Sequence, residues 1–283
     1  MTARTSLLYS LAGVLIGVGV ACSSPGSDEL TAAREALGRG RYGEALERYT
    51  EVTIQAPGTP EAAQALYELA LIHYLQRRDV DSARSTFRKI LLSYPDSAVA
   101  RDARRLLARM YSEDLGEPEK AIREYELLLL EETDPEQRKS LLLDIADSRY
   151  TTDDMEGAAE AYRRVIEDFP QDQESFGAYL RLAHIQRLAG RSDEALGSLL
   201  ALLGMTEDPA FRRKAYQMRA ETLAELGRYE EARTCLTAAA EEFPGDPDMT
   251  DLLVRIREQE NQRKLAEAEG ELGEGIHWGS GRP

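Results

Sequence analysis

Three glycines near the start of the chain, Gly38, Gly40 and Gly43, match the spacing G-x-G-x-x-G. In dinucleotide-binding proteins this spacing lets backbone N–H groups approach a pyrophosphate, but it requires a preceding β-strand and a βαβ unit. Here an alanine-rich segment of helical pattern comes first, and Gly40 falls at a turn between two predicted helices. The motif therefore predicts a turn between paired helices and not a nucleotide site.

The cysteine and histidine side chains do not form a metal-binding or catalytic motif in the sequence either. None of the three histidines, His73, His184 and His277, has the spacing to a cysteine or to another histidine that a zinc site needs. Cys235 falls in the middle of a predicted helix, where a free cysteine usually is a small buried hydrophobe. Phosphate-loop, nucleophile-elbow and metalloprotease motifs are missing from the sequence. We therefore expect no enzymatic activity, no metal and no cofactor.

The other cysteine, Cys22, ends an apolar leader. Arg4 supplies a positive charge, and residues 6–20 form an uncharged, mostly apolar run that is too short to span a bilayer. Small residues then precede Cys22, and this arrangement resembles the signal of bacterial lipoproteins, although Gly19 replaces the leucine that is usual there. An ordinary signal peptide with an incidental cysteine and an uncleaved membrane anchor are the alternatives.

The resemblance to lipoproteins implies a cellular location as well as a lipid anchor. Residues 1–21 are then a signal peptide, Cys22 carries the lipid, and residues 22–28 are the lipidated cysteine and a linker. Ser23, a non-aspartate after the cysteine, implies sorting to the outer membrane, facing the periplasm. We therefore expect a lipid-anchored protein of the bacterial cell envelope.

Composition and charge limit the partners. The 283 residues are 42% hydrophobic and 30% charged, which is typical of a soluble helical protein. The formal net charge of −16 disfavours contact with phosphate backbones and anionic lipid surfaces. We expect protein or peptide partners, basic or neutral in charge, membrane contact only through the lipid on Cys22, no nucleic acid and no small-molecule substrate.

An internal repeat dominates the rest of the chain. Alanines recur every 37 or 38 residues, each followed four and seven residues later by a bulky residue and another apolar one, which places all three on one helical face. These packing alanines are Ala45, Ala83, Ala121, Ala158, Ala195 and Ala232. A second alanine set lies 12 or 13 residues upstream, at Ala33, Ala70, Ala108, Ala146, Ala183 and Ala220. Turn residues separate the two sets and a proline closes each unit, so each unit is predicted to be two helices that cross at alanine.

This pattern resembles the tetratricopeptide repeat, with a period of 37–38 in place of 34. Ala183, Gly190, Ala195 and Leu199 carry the resemblance in one unit. Ala220, Gly227, Tyr229, Ala232, Leu236 and Pro244 carry it in the next. The resemblance implies an all-α fold, a right-handed α-solenoid of about six helix pairs over residues 29–247. We expect a polar capping helix at 248–269 and a disordered tail at 270–283 that contains Trp278, which either docks on a partner or packs back onto the solenoid.

In this family the first helix of each pair lines a concave groove. Counted from the first-helix alanines, the lining candidates are Tyr67, Tyr74, Arg105, Arg109, Tyr150, His184 and Arg187. Tyrosine and arginine are favoured anchors at protein interfaces. Arg105 and Arg109 lie one helical turn apart, which suits a carboxylate or a peptide C-terminus. The alternative is that the arginines are ordinary exposed side chains and the tyrosines fill the packing between repeats.

The turn sequences YPDS at residues 94–97 and FPQD at 169–172 resemble those of envelope lipoproteins, including BamD-like and CpoB-like (YbgF) proteins. The resemblance implies a non-enzymatic scaffold in envelope biogenesis, in outer-membrane protein assembly or a related complex. A CpoB-like role in cell division and peptidoglycan synthesis, and a role in pilus or motility assembly, are equally compatible. An accessory subunit of an envelope enzyme is an alternative of another class, and so is a cytoplasmic adaptor with an uncleaved leader.

Overall fold

The computed structural model describes residues 26–274. The predicted signal peptide, the lipidation site Cys22 and the part of the tail with Trp278 lie outside these residues. Over the described range the regular structure is entirely helical, with thirteen α-helices and one π-helical turn. The predicted all-α class, an α-solenoid built of helix pairs, is confirmed.

The chain divides into two compact units, at Ala100. The first unit contains α1 (Ser27–Gly38), α2 (Tyr42–Gln55), α3 (Pro60–Leu71) with a π-helical turn at Ile72–Gln76, and α4 (Val80–Ser93). The second begins with α5 (Ala100–Glu113), α6 (Pro118–Glu131), α7 (Pro135–Thr151) and α8 (Met155–Asp168). It continues with α9 (Gln173–Leu188), α10 (Ser192–Met205), α11 (Pro209–Glu225), α12 (Tyr229–Glu242) and α13 (Pro247–Glu274). The first unit therefore holds two helix pairs and the second holds four pairs and a final helix.

All twelve alanines of the two repeated sets have no exposed surface. The six bulky residues that follow the second set by one turn are buried as well: Tyr49, Phe87, Tyr125, Tyr162, Leu199 and Leu236. A methyl group is the largest side chain that lets two helices cross at about 8–10 Å, and the bulky residue then fills the space beside the crossing. Small and large residues thus alternate along each second helix to build the core.

Each pair is closed by a tight turn in which one residue has a left-handed backbone. Arg78 (φ 56°) and Asp153 (φ 63°) take this position in two pairs. Glycine takes it in the other four, at Gly40, Gly116, Gly190 and Gly227. The N–H of the following residue donates to a carbonyl of the first helix, as Arg191 does to Gln186 at 2.8 Å. This bond satisfies a terminal carbonyl and reverses the chain.

Two of the connections between helix pairs share an aspartate cap and an arginine that bonds back to the preceding helix. Asp134 and Asp208 cap the N-termini of α7 and α11 by accepting bonds from backbone N–H groups, and a proline follows each of them. One turn into these helices, Arg138 and Arg212 reach back to carbonyls at the end of the preceding helix, 3.0 Å to Glu132 and to Thr206 respectively. Each arginine therefore ties two successive pairs together within the second unit.

The final helix α13 takes the place of a first helix, since it packs on α12 and α11. At the register where α7 and α11 carry Ala146 and Ala220, α13 carries the exposed Glu258. A charged side chain is larger than the methyl group that lets two helices cross closely. The capping role predicted for this helix stays a prediction.

Two predicted boundaries differ from the structure. α13 extends to Glu274, beyond the predicted 248–269 and into the predicted tail at 270–283. Gly270 and Gly273 lie among helix-favouring residues, and an isolated glycine costs about 1 kcal/mol without ending a helix. α1 begins at Ser27, inside the predicted linker 22–28, because its first turn contains acidic residues that favour a helix N-terminus.

Candidate peptide-binding groove

The first helices α7, α9 and α11 line a cavity of about 620 Å³. Its apolar lining comes from Tyr150, Leu180, Phe211 and Met218. Its polar lining comes from Arg181, His184, Lys214, Gln217 and Glu221, and Tyr162 and Gly177 complete it. A concave surface with aromatic walls and a few convergent polar groups is the usual form of a binding site.

A buried tyrosine anchors one end of this cavity. The Tyr162 hydroxyl donates to Asp147, and the Arg181 guanidinium contacts the same carboxylate and donates to the Tyr162 oxygen at 3.1 Å. The guanidinium also lies 5.9 Å from the centre of the Tyr162 ring. Burial, reinforced by the bond to Asp147, raises the pKa of Tyr162, so the ring stays neutral. The network fixes Arg181 at the groove surface.

The aromatic walls are paired across neighbouring helices. Tyr150 and His184 lie 6.4 Å apart between ring centres, and Phe176 meets Phe211 edge to face at 5.7 Å. Gly177 lines the same cavity, and beyond its own helix no atom lies within 4 Å of the position where its Cβ would be. This open space is the slot at Gly177.

A second cavity, of about 610 Å³, lies between α11 and α13. Leu252 and Ile256 of α13 lie along it, almost fully buried, and Glu221 lines both cavities. The last helix is therefore a wall of the groove as well as a cap. The groove runs over α7, α9, α11 and α13.

The sequence-predicted candidates of α7 and α9 are brought together here. Tyr150 and His184 line the first cavity. Arg187 lines neither cavity, but its guanidinium binds the carboxylates of two lining residues, Glu225 at 3.0 Å and Glu221 at 4.0 Å. It is therefore held by the chain's own carboxylates.

Arg105 and Arg109, on α5, also face carboxylates of this chain. Arg105 lies 3.7 Å from the buried Glu132, and the positive charges of both arginines act on Asp144. Burial, together with the negative charge of Asp147, nevertheless raises the pKa of Asp144 to about 6. The two arginines thus compensate internal acids.

The two remaining candidates belong to the first unit. Tyr67 packs edge to face on Phe87 at 6.0 Å, in agreement with a packing role. Tyr74 lies in the π-helical turn, where the N–H of Arg77 donates to the carbonyl of Ile72 at 3.1 Å. Both tyrosines are half-buried.

Sequence reasoning missed the α11 residues, although the signal was present. The candidates lie three residues before and one or four residues after a first-helix alanine. Applied to Ala220, the same offsets give Gln217, Glu221 and Ala224, and all three line a cavity. Phe211 and Lys214 lie outside this pattern, and only the packed structure identifies them.

The side chains of residues 26–268 include no group of three His, Cys, Asp or Glu residues that could hold a metal ion. Burial raises the pKa of the Cys235 thiol, which lies 3.7 Å from the carbonyl of Tyr216. A buried, protonated thiol is a poor nucleophile. Among the helices described, none is long and apolar enough to cross a bilayer.

Comparison with known structures identifies the fold. A MamA protein matches with a TM-score of 0.51 at 21% identity, over 65% of this chain and 92% of the other. A tetratricopeptide repeat protein from Parabacteroides merdae ATCC 43184 matches with 0.50 at 19% identity, over 90% and 94%. YrrB, a tetratricopeptide repeat protein with an unusual peptide-binding site, matches with 0.51 at 17% identity, over 74% and 97%. These likenesses show the fold alone.

Comparison with curated proteins gave no match. The family models supply the sequence evidence. A tetratricopeptide repeat model matches residues 30–98 and 72–137, and a tetratricopeptide repeat-like domain model matches residues 120–260. Together these matches cover the helix pairs of both units. The chain therefore belongs to the tetratricopeptide repeat family.

Proposed function

We propose that this protein is a lipid-anchored, non-enzymatic scaffold of the bacterial envelope that holds an extended segment of a partner protein in the groove of its second unit. The observation that carries the proposal is the cavity walled by Tyr150, His184 and Phe211 on three successive first helices. Tetratricopeptide repeats are protein-interaction modules, and the YrrB neighbour has a peptide-binding site.

The geometry favours a peptide over a compact small molecule. The cavity is an open groove that continues into a second one, so a chain can enter and leave along its length. Aromatic walls bind apolar side chains at low entropic cost, and the polar edge supplies hydrogen-bonding groups for a backbone. Repeats that present first helices side by side give such contacts at regular intervals.

Filling the slot at Gly177 tests this use of the groove. In Gly177→Trp the new side chain enters open space and occupies the site of the ligand, so we expect partners recovered from crosslinked envelopes and identified by mass spectrometry to be lost. Gly197→Trp is the matched control, because Gly197 is also a helical glycine with open space around it, on α10 and away from the groove. Loss of the same partners from both variants, or from neither, contradicts the proposal.

The anchor is a separate part of the proposal. Helix α1 begins five residues after Cys22, a distance that spans at most about 17 Å of chain. A lipid on Cys22 would therefore hold the repeats close to the membrane, for which we propose the outer membrane facing the periplasm. Outer-membrane protein assembly or a related envelope complex is the process we propose for the scaffold.

Labelling with radioactive palmitate tests the anchor directly. We expect the wild-type protein to take up label and fractionate with the outer membrane, and Cys22→Ser to lose the label and accumulate at the size of the uncleaved precursor. Unlabelled wild-type protein, with Cys22→Ser unchanged in size and location, rules out lipidation. Groove binding can persist in that case, so the two parts are tested independently.

A further inference from the structure

Some charged side chains along the groove form ion pairs with other residues of the chain, and others do not. In the first cavity Arg181 is paired with Asp147. Glu221, which lines both cavities, and Glu225, which lines the second, share the single positive charge of Arg187 at 4.0 Å and 3.0 Å. Each of these groups therefore already has a charged partner in the chain.

Two cations remain. Lys214 lines the first cavity and Arg255, on α13, lines the second. Neither has an ion-pair partner among the side chains of residues 26–268, whereas Arg263, the other cation of the second cavity, binds Glu267 at 2.9 Å. The two charged side chains of the groove that lack an ion-pair partner are therefore both positive, in a chain whose net charge is −16.

We propose that the groove selects an acidic, extended segment of a partner protein, whose large apolar residue enters the first cavity and whose carboxylates meet Lys214 and Arg255. This inference rests on the proposed function and adds the chemistry of the partner. The overall charge favours basic or neutral partners, but the unpaired charges at the site itself have the opposite sign. Electrostatic complementarity within a site determines which partner is accepted.

The second cavity also offers groups for a peptide backbone. Gln259 and Gln262 line it from α13 and are exposed, and Gln217 lines the first cavity from α11. An amide side chain both donates and accepts hydrogen bonds, as a main-chain peptide group requires. The final helix thus contributes one unpaired cation, Arg255, and two amides to the second cavity.

Selection from a library of random twelve-residue peptides, displayed on phage and presented to the full chain, tests the inference without a chosen ligand. We expect the enriched peptides to combine aspartate or glutamate with an aromatic or large aliphatic residue. We also expect their binding to weaken as salt is added, since ion pairs at an open groove are screened. Enriched peptides that are neutral or basic overturn the proposed charge preference.

Two substitutions locate the effect. Lys214→Gln and Arg255→Gln should each weaken the binding of a selected acidic peptide by about 2–5-fold, the usual range for an exposed charge pair. The matched control is Arg257→Gln, which removes an exposed charge of the same helix outside both cavities and should leave affinity unchanged. Equal losses from Arg255→Gln and Arg257→Gln show a general charge effect and overturn the assignment.

A third variant separates this inference from the proposed function. Gly177→Trp should abolish binding of every selected peptide, whatever its charge. Peptides that lose binding to Gly177→Trp but carry no acidic residues contradict only the charge preference. Peptides whose binding survives Gly177→Trp, or a library from which nothing is enriched, contradict both.

Discussion

At the scale of single residues, side chains at equivalent positions of the repeat form different hydrogen bonds. Tyr49 and Tyr162 both follow a packing alanine by one turn and both are buried. The Tyr162 hydroxyl takes part in the network with Asp147 and Arg181, while the Tyr49 hydroxyl has no hydrogen-bond partner in the described chain. The repeat requires a bulky buried side chain at this position. The residues around each tyrosine determine whether its hydroxyl forms a hydrogen bond.

This contrast predicts opposite results from the same substitution. Tyr162→Phe should lower the free energy of unfolding by about 1 kcal/mol, because Asp147 and Arg181 lose a shared partner. Tyr49→Phe should leave it unchanged or raise it by up to about 1 kcal/mol, because an unpaired buried hydroxyl is removed. Urea denaturation of both variants measures the difference, and equal losses would refute the assignment of the two hydroxyls.

Asp144 predicts a pH dependence. Its pKa is about 6 in the folded protein and near 3.9 in the unfolded chain, so the buried charge opposes folding above pH 6. As the pH falls from about 6 to 4, the folded protein binds the proton first and this cost disappears. Asp144→Asn should therefore raise the free energy of unfolding by about 1 kcal/mol at pH 7.5, discounted for partial exposure, and by little near pH 4. A gain of the same size at both pH values would contradict it.

At the scale of helices and turns, the residue type identifies the left-handed turn position in only some of the helix pairs. Glycine marks it in four pairs, whereas Arg78 and Asp153 adopt the same conformation with a side chain. The left-handed region costs L-residues about 1–2 kcal/mol, which glycine avoids at some entropic expense in the unfolded state.

Arg78→Gly should therefore stabilise the protein by about 0.5–1 kcal/mol. Gly190→Ala, at the equivalent position of another pair, should destabilise it by about 1 kcal/mol or more. Thermal unfolding of the two variants measures both effects. If Arg78→Gly lowers the stability, the arginine side chain contributes contacts that outweigh its backbone strain.

The helix crossings give the next prediction. Ala158 is fully buried where α8 packs on α7, so Ala158→Leu should overpack the crossing and cost about 1–3 kcal/mol. Ala240→Leu on α12 is the control, since Ala240 is exposed on its helix. An unchanged melting temperature for Ala158→Leu would mean that this position does not set the distance between the helices.

Much of the helical order follows from the sequence alone. The alanine interval gives six helix pairs, and the prolines and glycines give their turns, because these residues act locally. The groove is less predictable, because its lining depends on which residues of different helices meet. Tyr150 and His184 follow from their register, but the pairing of Arg105 with Glu132 and of Arg187 with Glu225 requires the packed structure.

At the scale of the whole molecule, we propose a lipid tether at Cys22 and a peptide-binding groove in the second unit. The last helix carries the exposed Glu258 at the register of the crossing alanines and supplies one wall of the groove through Arg255 and Gln259. This helix thus adds polar side chains to the proposed recognition surface.

The most direct test of the central claim is photocrosslinking in living cells from two positions of the second unit. A benzophenone amino acid replaces Met218, which lines the groove, or Leu200, an apolar residue of α10 that is 57% exposed outside it. We predict that the Met218 position crosslinks to one defined segment of a partner protein, that Gly177→Trp removes this product, and that the Leu200 position gives no such product. The same product from both positions, or a Met218 product that survives Gly177→Trp, would contradict the account.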